Sequence, residues 1–221
     1  MPSTLAQLET RVAALLFDPA LAVWTTAVID ESIRQALHEY QQVVPLTAEA
    51  LLTLPGVGRT IALNEVTGLL NITRIWWPYD STEDDDTNKD ANLVTGFNLR
   101  FDDNQPVVEI AAIDQPQLND QLYLWYTKLH TIQNLDSGAT TSMPADHESI
   151  LVLGAAAYAC FSRAADLNET SALNTSSTPN YGALGTWYLE RFNLGLARAR
   201  SPGKGNAGPA FGPGWKLDRW D

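Results

Sequence analysis

Cysteine is almost missing from this chain: Cys160 is the single one in 221 residues. That excludes an internal disulfide framework and any zinc site built on several thiolates. Its neighbours Tyr158, Ala159 and Phe161 place it in an apolar helix, where it reads as a small buried hydrophobe rather than a reactive thiol. Histidine is scarce, with three copies, and cations are outnumbered, 14 Lys and Arg against 26 Asp and Glu, for a net charge of −12. A standing grip on nucleic acid needs Lys and Arg to replace condensed counterions, so the balance argues against one. No run approaches the roughly 18 apolar residues that span a bilayer. No basic segment followed by an apolar one opens the chain, so the sequence reads as soluble and unsecreted.

What is present is an ordinary globular composition, 45% hydrophobic, with room for one sizeable domain or two small ones. The charge is unevenly placed. Residues 191–221 carry Arg191, Arg198, Arg200, Lys204, Lys216 and Arg219 against Asp218 and Asp221, a net of +4, and everything before them sums to −16. A basic tail on an acidic body points to an acidic partner for the tail, and a neighbouring copy of the same body qualifies.

The periodicity changes twice along the chain. Ser3 reads as the N-cap of a first helix carrying Leu5, Leu8, Val12 and Leu15, interrupted at Asp18-Pro19. A second helix starts near Thr25 or Thr26, places Val28, Ile33, Leu37, Tyr40 and Val44 on one stripe, and stops before Pro45. Two-residue alternation follows: Ile61 and Leu63, then Leu70, Ile72 and Arg74, then Phe97 to Phe101, Val107 to Ile110, and Gln121 to His130 with Leu122, Leu124 and Tyr126 on one face. Helical period returns after Pro144, with Asp146 and Glu148 in the first turn and Leu151, Ala155, Tyr158 and Ser162 on one face. Gly154, Ala155, Ala156, Ala157 and Ala159 make this helix slim enough for close approach by another. A last helix over Tyr181 to Arg200 is expected to turn Leu184, Trp187, Tyr188, Phe192 and Leu196 inward. The fold class expected is α+β: a four-helix core from residues 1–46 and 140–200, an inserted antiparallel β domain over 47–139, and an extended C-terminal arm over 201–221. The arm holds five Gly and three Pro, which no helix or strand of useful length tolerates, yet it also holds Phe211, Trp215 and Trp220.

Catalytic and metal motifs fail one by one. His147-Glu148 lacks the second histidine of a zinc helix, because position 151 is leucine. His38 and His130 read as surface or rim residues. Gly56-Val57-Gly58-Arg59-Thr60 lacks phosphate-loop spacing and reads as a turn. Asp84, Asp86, Asn88 and Asp90 alternate like calcium ligands, but Lys89 stands where the loop needs glycine and Thr95 where it needs glutamate. The acidic run, with Asp84, Asp85, Asp86 and Asp90 as its channel or rim candidates, reads as a solvated tip that would repel passing DNA. Trp76-Trp77-Pro78-Tyr79 leaves a sugar or host-surface binding module as an alternative, with core packing the blander account. No catalytic residue, cofactor or metal is expected.

Several segments carry a resemblance. These are Leu8, Arg11, Val12, Leu16 and Asp18 with Trp24, Ile29 and the Ala36-Leu37-His38-Glu39-Tyr40 helix, and the passage from Leu124-Trp125-Tyr126 through Met143-Pro144 to Gly154-Ala155-Ala156. Together they resemble the head-to-tail adaptor (head-completion) proteins of tailed bacteriophages. The resemblance covers most of residues 1–200 in pattern and includes no catalytic signature. It implies a four-helix core bearing a β insertion, and a ring of commonly twelve copies under the portal protein, with a tail or second neck protein below. DNA passes through such a ring without specific binding, no membrane is involved, and the protein resides in the virion neck after assembly in the host cytoplasm. On this reading Phe211, Trp215, Lys216, Arg219 and Trp220 are the arm's contacts to the portal or a neighbouring subunit. A tail-completion or tail-terminator subunit is the alternative within the same class.

Overall fold

The computed structural model describes residues 2–82, 92–103, 105–111, 114–170 and 180–200. The fold is α+β, with four helices and two small antiparallel sheets among the described residues. The chain divides into a helical unit, residues 1–44 with 144–221, and a β unit, residues 45–143.

The helical unit is built around α3 (Glu148–Thr170), against which α1 (Leu5–Leu15), α2 (Thr26–Val43) and α4 (Tyr181–Ala199) all pack. Small residues permit this. A Cβ on Gly154 would lie 2.9 Å from the Ala36 Cβ on α2 and 2.9 Å from the Phe192 ring on α4, so both neighbours approach α3 at one glycine. Gly185 similarly admits the Phe161 ring, and Gly195 the Ile150 side chain. The single inward face expected of α3 becomes burial around most of the helix, with Leu151, Val152, Ala155, Ala156, Ala157, Ala159 and Cys160 all buried. By length and composition Glu148–Leu167 is apolar enough to cross a membrane, and that apolarity is what a helix with neighbours on several sides requires.

Helix ends are held by side chains. Thr4, not Ser3, is the N-cap of α1, and the Gln7 side chain accepts from the Thr4 N–H at 2.9 Å. Ser3 is used elsewhere, as described below. The Asp18 carboxylate accepts the amides of Ala22, Val23 and Trp24 at 2.7–3.0 Å, closing the turn into α2. Those donors, the Trp24 amide foremost, hold the Asp18 carboxyl below the usual aspartate range despite some desolvation. Trp24, buried, donates its indole N–H to the Ala159 carbonyl at 3.2 Å.

In the β unit, β1 (Leu46–Thr53) and β3 (Leu69–Trp76) flank β6 (Gln121–Lys128), while β2 (Thr60–Ala62) and β4 (Phe97–Asp102) flank β5 (Gln105–Ile110). All pairings are antiparallel. One apolar cluster draws on both sheets, including Leu52, Ile61, Ile72, Ile75, Val108, Ile110, Leu122 and Leu124. Leu122, Leu124 and Tyr126 face this core as their alternation predicts. β3 departs from the expected alternation. Register shifts at Leu69/Asn71 and Ile72/Arg74 bury Leu69, Ile72 and Ile75 instead of every second residue, and Leu70 is exposed. β1 is a strand although Leu46-Thr47-Ala48-Glu49-Ala50-Leu51 has helix-forming composition.

Candidate interaction surface

The helical unit presents an open groove of about 660 Å³ between the start of α3 and the outer side of α4. Its walls include Leu15, Ile150, Leu153 and Leu194, with Arg191 and Arg198 on one side and Asp146 and Glu190 among the polar groups. Trp187, expected to face inward, is 46% exposed and lies on the groove. The reason is rotational. Gly185, Tyr188, Phe192, Leu196 and Ala199 define the buried stripe, and Trp187 falls roughly 140° round from its centre at 100° per residue. The Arg191 guanidinium carbon sits 4.2 Å from the Trp187 ring centroid, a cation–π contact at the surface. Leu194, one turn further on, is 59% exposed.

A second exposed aromatic stands where α1 ends. Phe17 donates its amide to Ala14 O and Asp18 donates to Ala13 O, the two bonds of a Schellman cap. Phe17 thus occupies the left-handed position that glycine usually fills, with φ 57°, and its side chain is 90% exposed. A bulky residue in that conformation contributes neither packing nor backbone ease to the folded subunit.

Several polar groups of the helical unit bond across its own helices. Glu148, buried, accepts from the Ser3 amide at 2.5 Å, the Ser3 hydroxyl at 2.7 Å and Arg11 Nη1 at 2.6 Å. Burial alone would raise its carboxyl, but the Ser3 and Arg11 donors outweigh it and hold the group below the ordinary glutamate value. Tyr40 and His147 Nδ1 are 2.6 Å apart, and the tyrosine is pushed up to about 12 by burial and the Asp146 charge. Tyr158 bonds the Glu39 carboxylate, and burial together with that carboxylate raises its phenol further. These contacts fasten helix to helix. Cys160 is fully buried and its thiol is pushed up to about 11 by desolvation.

No family model matches the chain, and no curated protein matches it. Among the described residues no cluster of three or more His, Cys, Asp or Glu is placed to hold a metal ion. His130, expected at the surface, is buried, with Nδ1 3.2 Å from Ser142 Oγ. That hydroxyl also accepts the Thr131 amide at 2.9 Å, and Ser142 N–H donates to Thr131 O at 3.0 Å. The pair staples both ends of the 131–142 loop. His38 is exposed beside the Gln42 amide, as its place on the polar side of α2 implies.

In the β unit Trp76 is buried, and Trp77 donates its indole N–H to Asp120 at 3.1 Å, so both are engaged in the unit's own packing. Tyr79 stacks on Tyr123 at 4.9 Å. The acidic candidates Asp84, Asp85, Asp86 and Asp90 lie outside the described residues. So do the arm candidates Phe211, Trp215, Lys216, Arg219 and Trp220. The groove on α4 and the exposure of Phe17 are not apparent from residue spacing. For α4 a signal was present in the glycines at 154, 185 and 195, which mark where helices touch and so which face of α4 is spent.

Proposed function

We propose that this chain is a structural subunit of a tailed-phage neck, a head-to-tail adaptor that forms a ring below the portal and leaves a channel for DNA. The observation that carries the reading is architectural. A β unit interrupts a helical unit between its second and third helices, which is the arrangement implied by the resemblance of residues 1–200. The surface chemistry supports it. Phe17, Trp187 and Leu194 are exposed, with Arg191 over the Trp187 ring, a distribution suited to holding protein partners. The excess of carboxylates fits a wall past which DNA must slide.

The arm supplies the portal contact, with Phe211, Trp215 and Trp220 as apolar anchors and Lys216 and Arg219 pairing with acidic groups at the rim. Negative-stain microscopy of the purified chain mixed with a portal protein from the same source tests the reading. The expected image is a ring extending the portal stem, and a chain that leaves the portal undecorated at micromolar concentration removes the adaptor assignment. Deleting residues 204–221 should abolish docking with the circular dichroism spectrum unchanged.

A further inference from the structure

The turn between α1 and α2 is an apolar knob. Of residues 17–23, Phe17, Pro19, Ala20, Ala22 and Val23 are exposed and Leu21 is partly so. The one ionisable group of the turn, the Asp18 carboxylate, is buried and accepts the amides of Ala22, Val23 and Trp24, so the turn shows water no charge. Those three bonds fix the backbone, together with the Leu21 amide donating to Asp18 O at 3.0 Å and the two bonds of the Phe17 cap. Phe17 and Leu21 both hold the left-handed conformation, with φ 57° and 54°, which is unfavourable for any residue with a side chain of that size. A turn that only joined two helices would meet the same geometry more easily with glycine and polar residues.

The α4 groove is a receptor of matching chemistry. Leu15, Ile150, Leu153, Trp187 and Leu194 form its apolar wall, and its volume of about 660 Å³ is ample for a phenylalanine ring with its neighbours. An occupant bearing a charge would lose hydration against that wall, and the knob brings none. Its only carboxylate already has three donors, so seating it strands no buried charge. Phe17 does not fill the groove of its own chain. It is 90% exposed, more than any other large apolar side chain among the described residues.

We propose that the knob of residues 17–23 in one copy seats in the α4 groove of a second copy, with Phe17 against Ile150, Leu153 and Leu194. Area sets the strength of this contact. Covering one phenylalanine removes about 150–250 Å² from water, the groove wall contributes a similar area, and Pro19, Ala20 and Val23 add less. The sum stays below the roughly 1,200 Å² of a free-standing specific interface, so two copies in dilute solution associate weakly. Knob and groove are different surfaces and each copy offers both, so the contact repeats head-to-tail and strengthens on closure into a ring. Ring closure rests on the neck-adaptor reading. The seating of the knob needs only a second copy.

Photo-cross-linking of the full chain tests it. A benzophenone side chain replaces the Phe17 ring, and the chain is irradiated both alone at high concentration and mixed with portal rings. The expected products are adducts between copies that digestion and mass spectrometry map to residues 146–153 or 187–198. Adducts confined to one chain, to other segments or to the portal overturn the contact, as does the absence of adducts in both samples. A second variant keeps the readout specific. Leu194→Asp in the benzophenone chain should cut the adduct yield tenfold or more, whereas Leu51→Asp, at an exposed leucine of the β unit, should leave it unchanged. Both leucines are exposed, so the circular dichroism spectrum should match that of the parent chain in each case. Equal yields from the two variants overturn the proposal. A ring on the portal without these adducts overturns the contact and leaves the adaptor reading intact. Adducts between free copies with the portal undecorated do the reverse.

Discussion

The Arg191 guanidinium lies 4.2 Å over the indole of Trp187 on the solvent side of α4, so the largest side chain of that helix is held at the surface by a cation. A flat aromatic face fixed in place costs little entropy when a partner covers it, which is why Trp and Arg recur as anchors at protein contacts. On the proposed adaptor function, Trp187→Ala should leave thermal stability nearly unchanged and weaken ring assembly or portal docking by tenfold or more, a loss of about 1.4 kcal/mol or greater. Sedimentation with and without portal measures it. A large fall in melting temperature with unaltered assembly would return Trp187 to a purely structural role.

Phe17 stands in a glycine conformation, φ 57°, with 90% of its side chain in water. Left-handed backbone costs a non-glycine residue roughly 1–2 kcal/mol, and glycine gives back about half of that through its looser unfolded state. Phe17→Gly should therefore stabilise the isolated chain by roughly 0.5–1 kcal/mol, or about 1–3 °C in melting temperature. If Phe17 serves a partner, the same variant should assemble less well. Calorimetry and sedimentation on one preparation separate the two effects.

Glu148 predicts a pH dependence with a definite sign. Its folded carboxyl titrates below the unfolded value of 4.5, so it contributes full stability above that pH. The contribution is lost as pH falls through the folded value, because the unfolded chain takes up the proton first. Glu148→Gln should cost about 1–3 kcal/mol at neutral pH by weakening the Ser3 and Arg11 contacts. The gap to wild type should narrow on acidification below 4.5. Urea unfolding at a series of pH values checks this, and a gap that stays constant would mean that the carboxylate charge is not what holds the N-terminal segment.

Gly154 tests the close approach at the centre of the helical unit. A single methyl there would sit 2.9 Å from both Ala36 and the Phe192 ring, on the two helices that flank α3. Gly154→Ala raises intrinsic helix propensity by about 1 kcal/mol, yet overpacking of a filled core costs roughly 1–3 kcal/mol. Net destabilisation in chemical unfolding is the expected result. A stabilised variant would show that the helices can separate at no cost.

Much of the fold was legible from residue spacing. α2 begins and ends where Thr25 and Pro45 indicate, and β6 alternates as Leu122, Leu124 and Tyr126 require. The errors have local causes. Ser3 and Thr4 are both N-cap residue types, and only the distant Glu148 decides that Ser3 is used for a tertiary contact. Leu46–Thr53 is a strand because it pairs with β6 along its whole length, and pairing outweighs helix-forming composition. Leu70 is expected with Ile72 on one face and is not, because bulges add residues that alternation does not count.

The sequence by itself determined the α+β class, the order of helix pair, β segment and helix pair, the core of the best strand and the burial of Cys160. These follow from local periodicity, which each segment carries within itself. Tertiary structure alone decided which side of α4 faces water and that Phe17 caps a helix in a glycine's place. Exposure of a face depends on what lies beside it, and for Trp187 the packed neighbours that settle it come from α3, a separate segment of the chain.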